Sequence, residues 1–507
     1  MDFKTQTYRY LSLGLLSISC TALPISASAA PYSIPVKNAR DWTCQAVSEN
    51  TAAYKDIKLL PSVVFEGETL PQTIDARLAA HKIPGFSIAV IRKGELVWTQ
   101  AWGNQSSNGG KLACDTLFQA GSLAKPVTVF AAFRMQQKNL INFDTNIEQY
   151  LSRYHLPSGA QTESNPVTFR NIFTHRSGII AGGYEGYPNG SAIPTDVQTL
   201  SGLPPSNAPK LEILAPPNTQ LRYSGAGYTV AEIALQDRFE KEFDPLMQEW
   251  LLKPFGMKQA SFAQPIPPKF YPQIARGHDS QGKMIPGGWH NHPEQAAAGL
   301  WATPSDMATY LIELHRAYTH KSKLISKASM KEFLADTQDG HSYGFRRLGE
   351  EPAIFFTHNG GTRGYRAGMT INLESGDGLV YMSNSDAGAN LGLEFLAAIA
   401  RTEQWSIFRE TTVKRRLISP DELVKFAGQY EFKEQGWKIQ VLFENNGLAI
   451  LFPNGDRYPL SSIVGEHFSF IHADTGVRAS FMLSDAGTTI ALYGKTGLKI
   501  ESSGPTQ

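Results

Sequence analysis

Apolar positions along this chain recur at helical spacing in some stretches and alternate in others. "TIDARLAAHKI", Thr73 to Ile83, has the helical spacing and predicts an amphipathic helix. "FSIAVIRKGELVWTQAWG" predicts two strands joined at "KGE". Residues 122–138 predict a helix that is apolar on most faces. Helical spacing returns in "GYTVAEIALQDRFEKEF" and "PSDMATYLIELHRAYTH". "GYRAGMTINLESGDGLVYMSNSD" then predicts two more strands, followed by an apolar helix near 389–401. Strands at both ends with helices between them predict an α+β domain. In it, one sheet is assembled from distant segments beside a helical cluster.

Beyond the charged stretch "RETTVKRRLISPDE" the texture changes. Short alternating runs such as "GQYEF", "WKIQVLFENNGLAILF" and "TTIALYGKTGLKI" are punctuated by Asn-Gly, Asp-Thr-Gly and Lys-Thr-Gly. They predict a small all-β domain over 420–507, reached through a linker at 406–419. At the other end, Lys4 and Arg9 precede the apolar run "LSLGLLSISCTALPI", and Ala27-Ser28-Ala29 fits a cleavage site. This predicts an export leader at 1–29 and a periplasmic or secreted protein, with an irregular extension at 30–64. The apolar run is short and Pro24 interrupts it, so no integral membrane span is expected in the mature chain. Ser17 stands where a lipoprotein site at Cys20 would carry a large aliphatic residue.

Composition narrows the function without naming it. Net charge is +1 over 507 residues, so no basic surface for nucleic acid is indicated. Apolar content of 42% with 18% charged residues fits a folded chain, and the length fits two or three domains. Of three cysteines, Cys20 leaves with the leader. Cys44 and Cys114 either pair or stay as two thiols. His290 and His292 in "GGWHNHPEQ" lack an evident third ligand and read as a loop pair rather than a metal site. No cofactor is called for.

The chemistry concentrates in "QAGSLAKPVTVF", Gln119 to Phe130. Ser122 and Lys125 stand three residues apart, which places them on one face of a helix. Pro126 is tolerated only in a first helical turn, so the serine lies where the helix begins. A serine hydroxyl is a weak nucleophile and needs a neighbouring base. Three further stretches follow in order: "VTFRNIFTHRSGI", "LRYSGAGYTVAEIALQ" with Tyr223, and "FFTHNGGTRGYRAGMT" with His358-Asn359-Gly360-Gly361.

In that order these motifs resemble the serine hydrolases of the class C β-lactamase and penicillin-binding-protein-like group, over roughly residues 65 to 400. The resemblance implies a β-lactamase/transpeptidase-like fold over 65–405, with its site between an antiparallel sheet and a helix cluster. It implies Ser122 as nucleophile, Lys125 and Tyr223 as its proton-transfer partners, and His358-Asn359-Gly360 in place of a Lys-Thr-Gly motif. Which of Lys125 and Tyr223 is the formal base stays open. The backbone N–H groups of Ser122 and Gly361 would form the oxyanion hole, with Gly360 allowing close approach. Lys495-Thr496-Gly497 spells the lysine form literally but falls in the C-terminal β domain, where it reads as a hairpin turn.

The expected activity is acyl transfer on a small-molecule ester, peptide or β-lactam. Gly225 stands where β-lactamases of the group commonly carry asparagine in Tyr-x-Asn, which favours esterase-type or D-amino-acid peptidase-type chemistry. β-Lactamase or cell-wall DD-peptidase activity is the alternative. A non-catalytic penicillin-binding sensor or binding module is the alternative of another class. The glycine- and aromatic-rich loops "GGYEGYPNG" and "PGGWHNHPE" are expected to line an open, partly apolar pocket.

Overall fold

In the computed structural model, residues 54–500 are described apart from 55, 181–183, 336–339, 352, 434, 435, 454, 456 and 486. The leader, Cys20, Cys44 and most of the 30–64 extension lie outside the described residues. Cys114 is disulfide-bonded.

The central sheet has eight strands gathered from two distant parts of the chain. The first group is Gly85–Arg92 (β2), Glu95–Ser106 (β3) and Gly109–Lys111 (β4), which follow a short strand Val63–Phe65 (β1) outside this sheet. After Phe118–Gln119 (β5) and the helical region come His341–Ser342 (β6), Phe345–Leu348 (β7), Phe355–Thr362 (β8), Tyr365–Asn372 (β9) and Gly378–Ser383 (β10). The spatial order is β6-β7-β8-β9-β10-β2-β3-β4, and the pairs whose register is recorded are all antiparallel. The expected hairpin at "KGE" is the β2–β3 connection.

Alternation along β2 shows why the sheet is covered on both faces. Phe86, Ile88 and Val90 enter one apolar cluster while Ala89 and Ile91 enter another. The first cluster is closed by helix Gly388–Thr402, whose Phe395 ring stacks on Phe86 at 5.1 Å. The second is closed by helix Pro304–Tyr318, started by a Thr303–Asp306 capping box with Pro304 in its first turn. A strand with helices on both sides reads as a nearly unbroken apolar run, as β2 does.

Helix Ile74–Ala80 is fastened to helix Gly388–Thr402 by a buried ion cluster. Arg77 donates to both oxygens of Glu394, at 2.8 Å and 2.5 Å, and His81 reaches the same carboxylate at 2.9 Å. Burial alone would raise the Glu394 pKa, but the hydrogen bonds from Arg77 and His81 outweigh it and hold it below the usual value.

The C-terminal β domain is a closed eight-stranded barrel running from Gly428–Phe432 to Lys495–Ile500, whose first and last strands pair. Inward side chains including Tyr430, Phe432, Phe470, Phe481 and Ile490 fill it. Lys495-Thr496-Gly497 lies within the last strand, and the hairpin turn is one step earlier, at Tyr493-Gly494, where both residues have positive φ. Residues assigned to the extension and the linker form a common ladder. β1 pairs in parallel with Thr411–Val413 (β11), and the two pack against Ile463 and Ile471 of the barrel.

Replacing Arg77 with Met leaves Glu394 buried with His81 as its remaining partner in the cluster. The expected result at pH 7 is a loss of about 3–5 kcal/mol of unfolding free energy, read by urea denaturation. Glu394 has a depressed folded pKa, so its stabilisation is present above the ordinary carboxylate value and is lost as pH falls through the folded one. The gap between wild type and Arg77→Met is therefore expected to narrow toward pH 4.

Candidate active site

The chain enters the site from β5. It turns at Gly121, which has φ +54°, and passes through one 3-10 turn, Gly121–Leu123, into helix Ala124–Gln136. Only glycine takes that φ without strain. A Cβ at 121 would also stand 2.7 Å from the Gly361 backbone nitrogen. Ser122 sits in this short turn, half-buried. Pro126 is the third residue of the α-helix, where no hydrogen bond from its nitrogen is needed. The expectation that the serine lies at the start of the helix matches this geometry.

Lys125 is 2% exposed. Its Nζ donates to Ser122 Oγ at 3.0 Å and to the Ala297 carbonyl at 2.7 Å. Ala297 belongs to the short helix Gln295–Ala298, held in place where the Ala296 N–H donates to buried Glu232 at 2.7 Å. The lysine head is thus fixed from both sides, and the serine oxygen is one of its two hydrogen-bond partners.

Tyr223 precedes Ser224, which caps helix Gly225–Phe239 by accepting from the Gly227 N–H. Gly225 is the first residue of that helix and is buried. Lys125 Nζ lies 4.9 Å from the Tyr223 ring centroid. The ammonium meets the ring face, and the tyrosine hydroxyl makes no hydrogen bond to Ser122 or Lys125.

One residue that the motif reading passed over holds Tyr223 in place. His175 accepts the Arg222 N–H at its backbone oxygen, 2.7 Å, and the Ser224 N–H at Nδ1, 3.2 Å. The residues on both sides of Tyr223, Arg222 and Ser224, are therefore fastened through their N–H groups to His175, one at its carbonyl and one at its ring. The His175 and Tyr223 rings lie 4.4 Å apart. His175 is 3% exposed. Burial first, then the charges of Lys125 and His358, push its pKa well below the ordinary histidine value. The ring is neutral, so Nδ1 is free to accept and Nε2 carries the proton. The sequence signal was the histidine in "FTHRSG", quoted above only as a motif.

β8 passes directly over the turn that carries Ser122. A Cβ on Gly360 would fall 2.0 Å from the Ala120 carbonyl oxygen. Thr362 donates to Gln119 at 2.6 Å, and Gln119 donates in turn to the His290 carbonyl. The Gly361 nitrogen is thereby brought against the turn that carries Ser122. His358 lies on the same face of β8 as Gly360, and Asn359 lies on the other face and is exposed. His358 Nδ1 donates to the Asn359 carbonyl at 2.7 Å, leaving Nε2 as an acceptor. The ring is deep in the molecule yet touches solvent through the cleft. Burial, then the Lys125 charge, lowers its pKa to about 3.

β8 pairs with β7 only through Phe355–Thr357, so its edge is open at His358 and Asn359. A cavity of about 390 Å³ lies there, walled by Tyr223, His175, His358, the β6–β7 hairpin, Leu393, Leu396 and Phe408. The loops expected to line a pocket do otherwise. Tyr187–Pro188 pairs with His290–Asn291, and Tyr187, Trp289, His290 and His292 are buried, so these segments brace each other. His292 pairs with Glu294 at 3.0 Å. Among the described residues, no group of three His, Cys, Asp or Glu side chains could hold a metal ion.

A family model described as Beta-lactamase matches residues 70–401, more than half of the chain. The chain belongs to the beta-lactamase family, a family of serine hydrolases and penicillin-binding relatives. It is 22% identical over 321 residues to Beta-lactamase-like protein 2 of Dictyostelium discoideum, a match covering 59% of this chain and 52% of that protein. The chain thus spans about half the length of that relative. It is 20% identical to Penicillin-binding protein 4* of Bacillus subtilis (strain 168), covering 84% of this chain and 95% of the relative. The structure of the octameric penicillin-binding protein homologue from Pyrococcus abyssi superimposes with a TM-score of 0.57 at 18% identity, over 84% of this chain and 98% of that one. At that identity the likeness shows the fold.

His175→Ala is expected to lower kcat on an activated ester at least tenfold with a smaller change in KM, because the hold on Tyr223 loses its side-chain bond. His175→Asn, whose Oδ1 can accept the same N–H, is expected to recover part of it. A second expectation follows from the depressed histidine pKa values. Unfolded histidines take up protons near pH 6.5, and His175 and His358 refuse them until far lower pH. The melting temperature is expected to fall as pH drops below 6.5, and His358→Gln to remove part of that fall.

Proposed function

We propose that this protein is an exported serine hydrolase that cleaves esters or D-amino-acid amides through an acyl intermediate on Ser122. The observation that carries this reading is the 3.0 Å contact between buried Lys125 Nζ and Ser122 Oγ, in a turn pressed against Gly361. That distance is within reach of proton transfer. In acylation Ser122 Oγ bonds to the substrate carbonyl carbon, and its proton passes through Lys125 and Tyr223 to the leaving oxygen or nitrogen. The bond from the carbonyl carbon to that atom breaks. Water then attacks the acyl-serine, restores Ser122 and releases the acid. The Ser122 and Gly361 N–H groups would carry the oxyanion, at about 3 kcal/mol for each donor.

Two features favour esters over β-lactams. Gly225 offers no side-chain amide to hydrogen-bond a substrate amide, and a site without such a partner does not select for it. His358 is neutral where the lysine form of the motif places a cation, so an anionic group on the substrate has less to meet. Ester leaving groups also depart with less help from a placed proton than amines do. Export is supported by the leader-like N-terminus and by the Cys114 disulfide, since such bonds persist in oxidising compartments. Among the described residues no helix is long and apolar enough to cross a membrane.

Ser122→Ala is expected to abolish turnover and fluorophosphonate labelling with the melting temperature retained. Lys125→Ala and Tyr223→Phe are each expected to reduce kcat by orders of magnitude, and the double variant by little more than the worse single one, because they act as one unit. Lys495→Ala is expected to leave activity unchanged. kcat/KM for p-nitrophenyl acetate is expected to exceed that for a chromogenic cephalosporin. The opposite order would return the protein to β-lactamase chemistry, and a label that forms but is never released would make it a binding module.

A further inference from the structure

We propose that the cavity beside Tyr223 and His358 receives the uncharged, apolar alcohol half of an ester substrate while its acyl half is transferred to Ser122. This rests on the acyl-serine reading above and adds the substrate class to it.

Position is the first support. Acylation forms the bond from Ser122 Oγ to the carbonyl carbon, breaks the bond from that carbon to the alkoxy oxygen, and delivers the serine proton to that oxygen. The departing group must lie on the side of the proton carriers. Tyr223 is a wall of the cavity, and Lys125 Nζ is 4.9 Å from its ring. The open edge of β8 at His358 and Asn359 forms the opposite wall. An alcohol leaving toward Tyr223 therefore enters this space, and water can take its place for deacylation.

Lining chemistry is the second support. Phe345, Leu348, Leu396 and Phe408 contribute apolar surface. Leu393 and Tyr223 are large apolar side chains left 43% and 49% exposed, and both face this one cavity. Exposed apolar side chains gathered around one concave space mark a ligand surface rather than a solvated one. Among the described lining residues, Arg346 alone carries a fixed charge, and it is exposed. The deep histidines, His175 and His358, are neutral. A buried anion would find no fixed positive partner there, and an alkyl or aryl chain needs none.

Size is the third. The cavity of about 390 Å³ is comparable to the smaller ligand sites of proteins. It equals roughly a dozen water volumes of ~30 Å³ each, which suits a chain of about six to ten carbons.

The test moves one alkyl chain from the alcohol to the acid. Methyl, butyl and hexyl acetates are compared with methyl butanoate and methyl hexanoate. On the alcohol side kcat/KM is expected to rise by roughly threefold per methylene, which is on the order of a hundredfold or more from methyl to hexyl. On the acyl side it is expected to change less than threefold. Leu393→Glu, at an exposed position that folding tolerates, is expected to cut the hexyl-to-methyl ratio tenfold or more. 1-Hexanol is expected to inhibit competitively, and less so in the variant. Dependence on the acyl chain instead, no dependence on either chain, or an unchanged ratio in Leu393→Glu would overturn the assignment. Turnover of p-nitrophenyl acetate with fluorophosphonate labelling of Ser122, together with any of those outcomes, would sink the cavity assignment alone. Neither turnover nor labelling would sink both readings.

Discussion

The site depends on one close contact between two stretches of backbone. The turn Ala120-Gly121 lies directly beneath Gly360-Gly361 of β8, so near that side chains at 121 or 360 would overlap the opposing main chain. This contact sets the height of the Ser122 turn relative to the sheet. It fixes where Ser122 points, and it brings the Gly361 nitrogen to the same place. Its stability comes from both sides. Gln119, just ahead of the turn, is bonded to Thr362 just beyond the glycines. Leu123, buried just after Ser122, packs against the strand. Sheet and helix cluster meet here, so a substitution that separates them acts on the chemistry before it acts on the core.

Much of the arrangement was legible because it is local. Ser122, Lys125 and Pro126 share one helical turn, and their spacing alone puts serine and lysine together at the helix start. The strands and helices followed from period, and the barrel's strands from turn residues at even spacing. What was not legible depends on contacts between distant segments. The hold on Tyr223 uses a histidine from another segment through backbone groups, which no side-chain pattern reports. The cavity is walled by a hairpin, a helix and Phe408 from separate parts of the chain. The loops rich in glycine and aromatic residues looked suited to lining it, yet they are spent on pairing with each other. Val63–Phe65, at the end of the expected extension, and Thr411–Val413, in the expected linker, do not read as strands because neither short strand exists without the other.

The same distinction separates the proposed third motif from its literal copy. Lys495-Thr496-Gly497 has the letters, but its strand pairs within a barrel whose interior is already filled. His358-Asn359-Gly360 lacks the lysine and has the neighbours: a glycine that admits the Ala120 carbonyl, an unpaired strand edge, and a tyrosine ring 6.3 Å from His358. A motif acts through what its backbone can approach, and here that is decided by the sheet register.

Charge ties these parts together. Lys125 is buried among a serine hydroxyl, a carbonyl and two tyrosine rings, and no carboxylate among the described residues forms an ion pair with it. Its charge, added to burial, keeps His358 and His175 neutral. A neutral His175 retains the Nδ1 lone pair that accepts the Ser224 N–H, and that bond holds Tyr223 beside Lys125. Protonating His175 would remove the acceptor and place a second cation near the first, so both consequences oppose it. The lysine that contacts Ser122 thus also secures the tyrosine proposed to share its proton, through a neutral histidine in the wall of the same cavity.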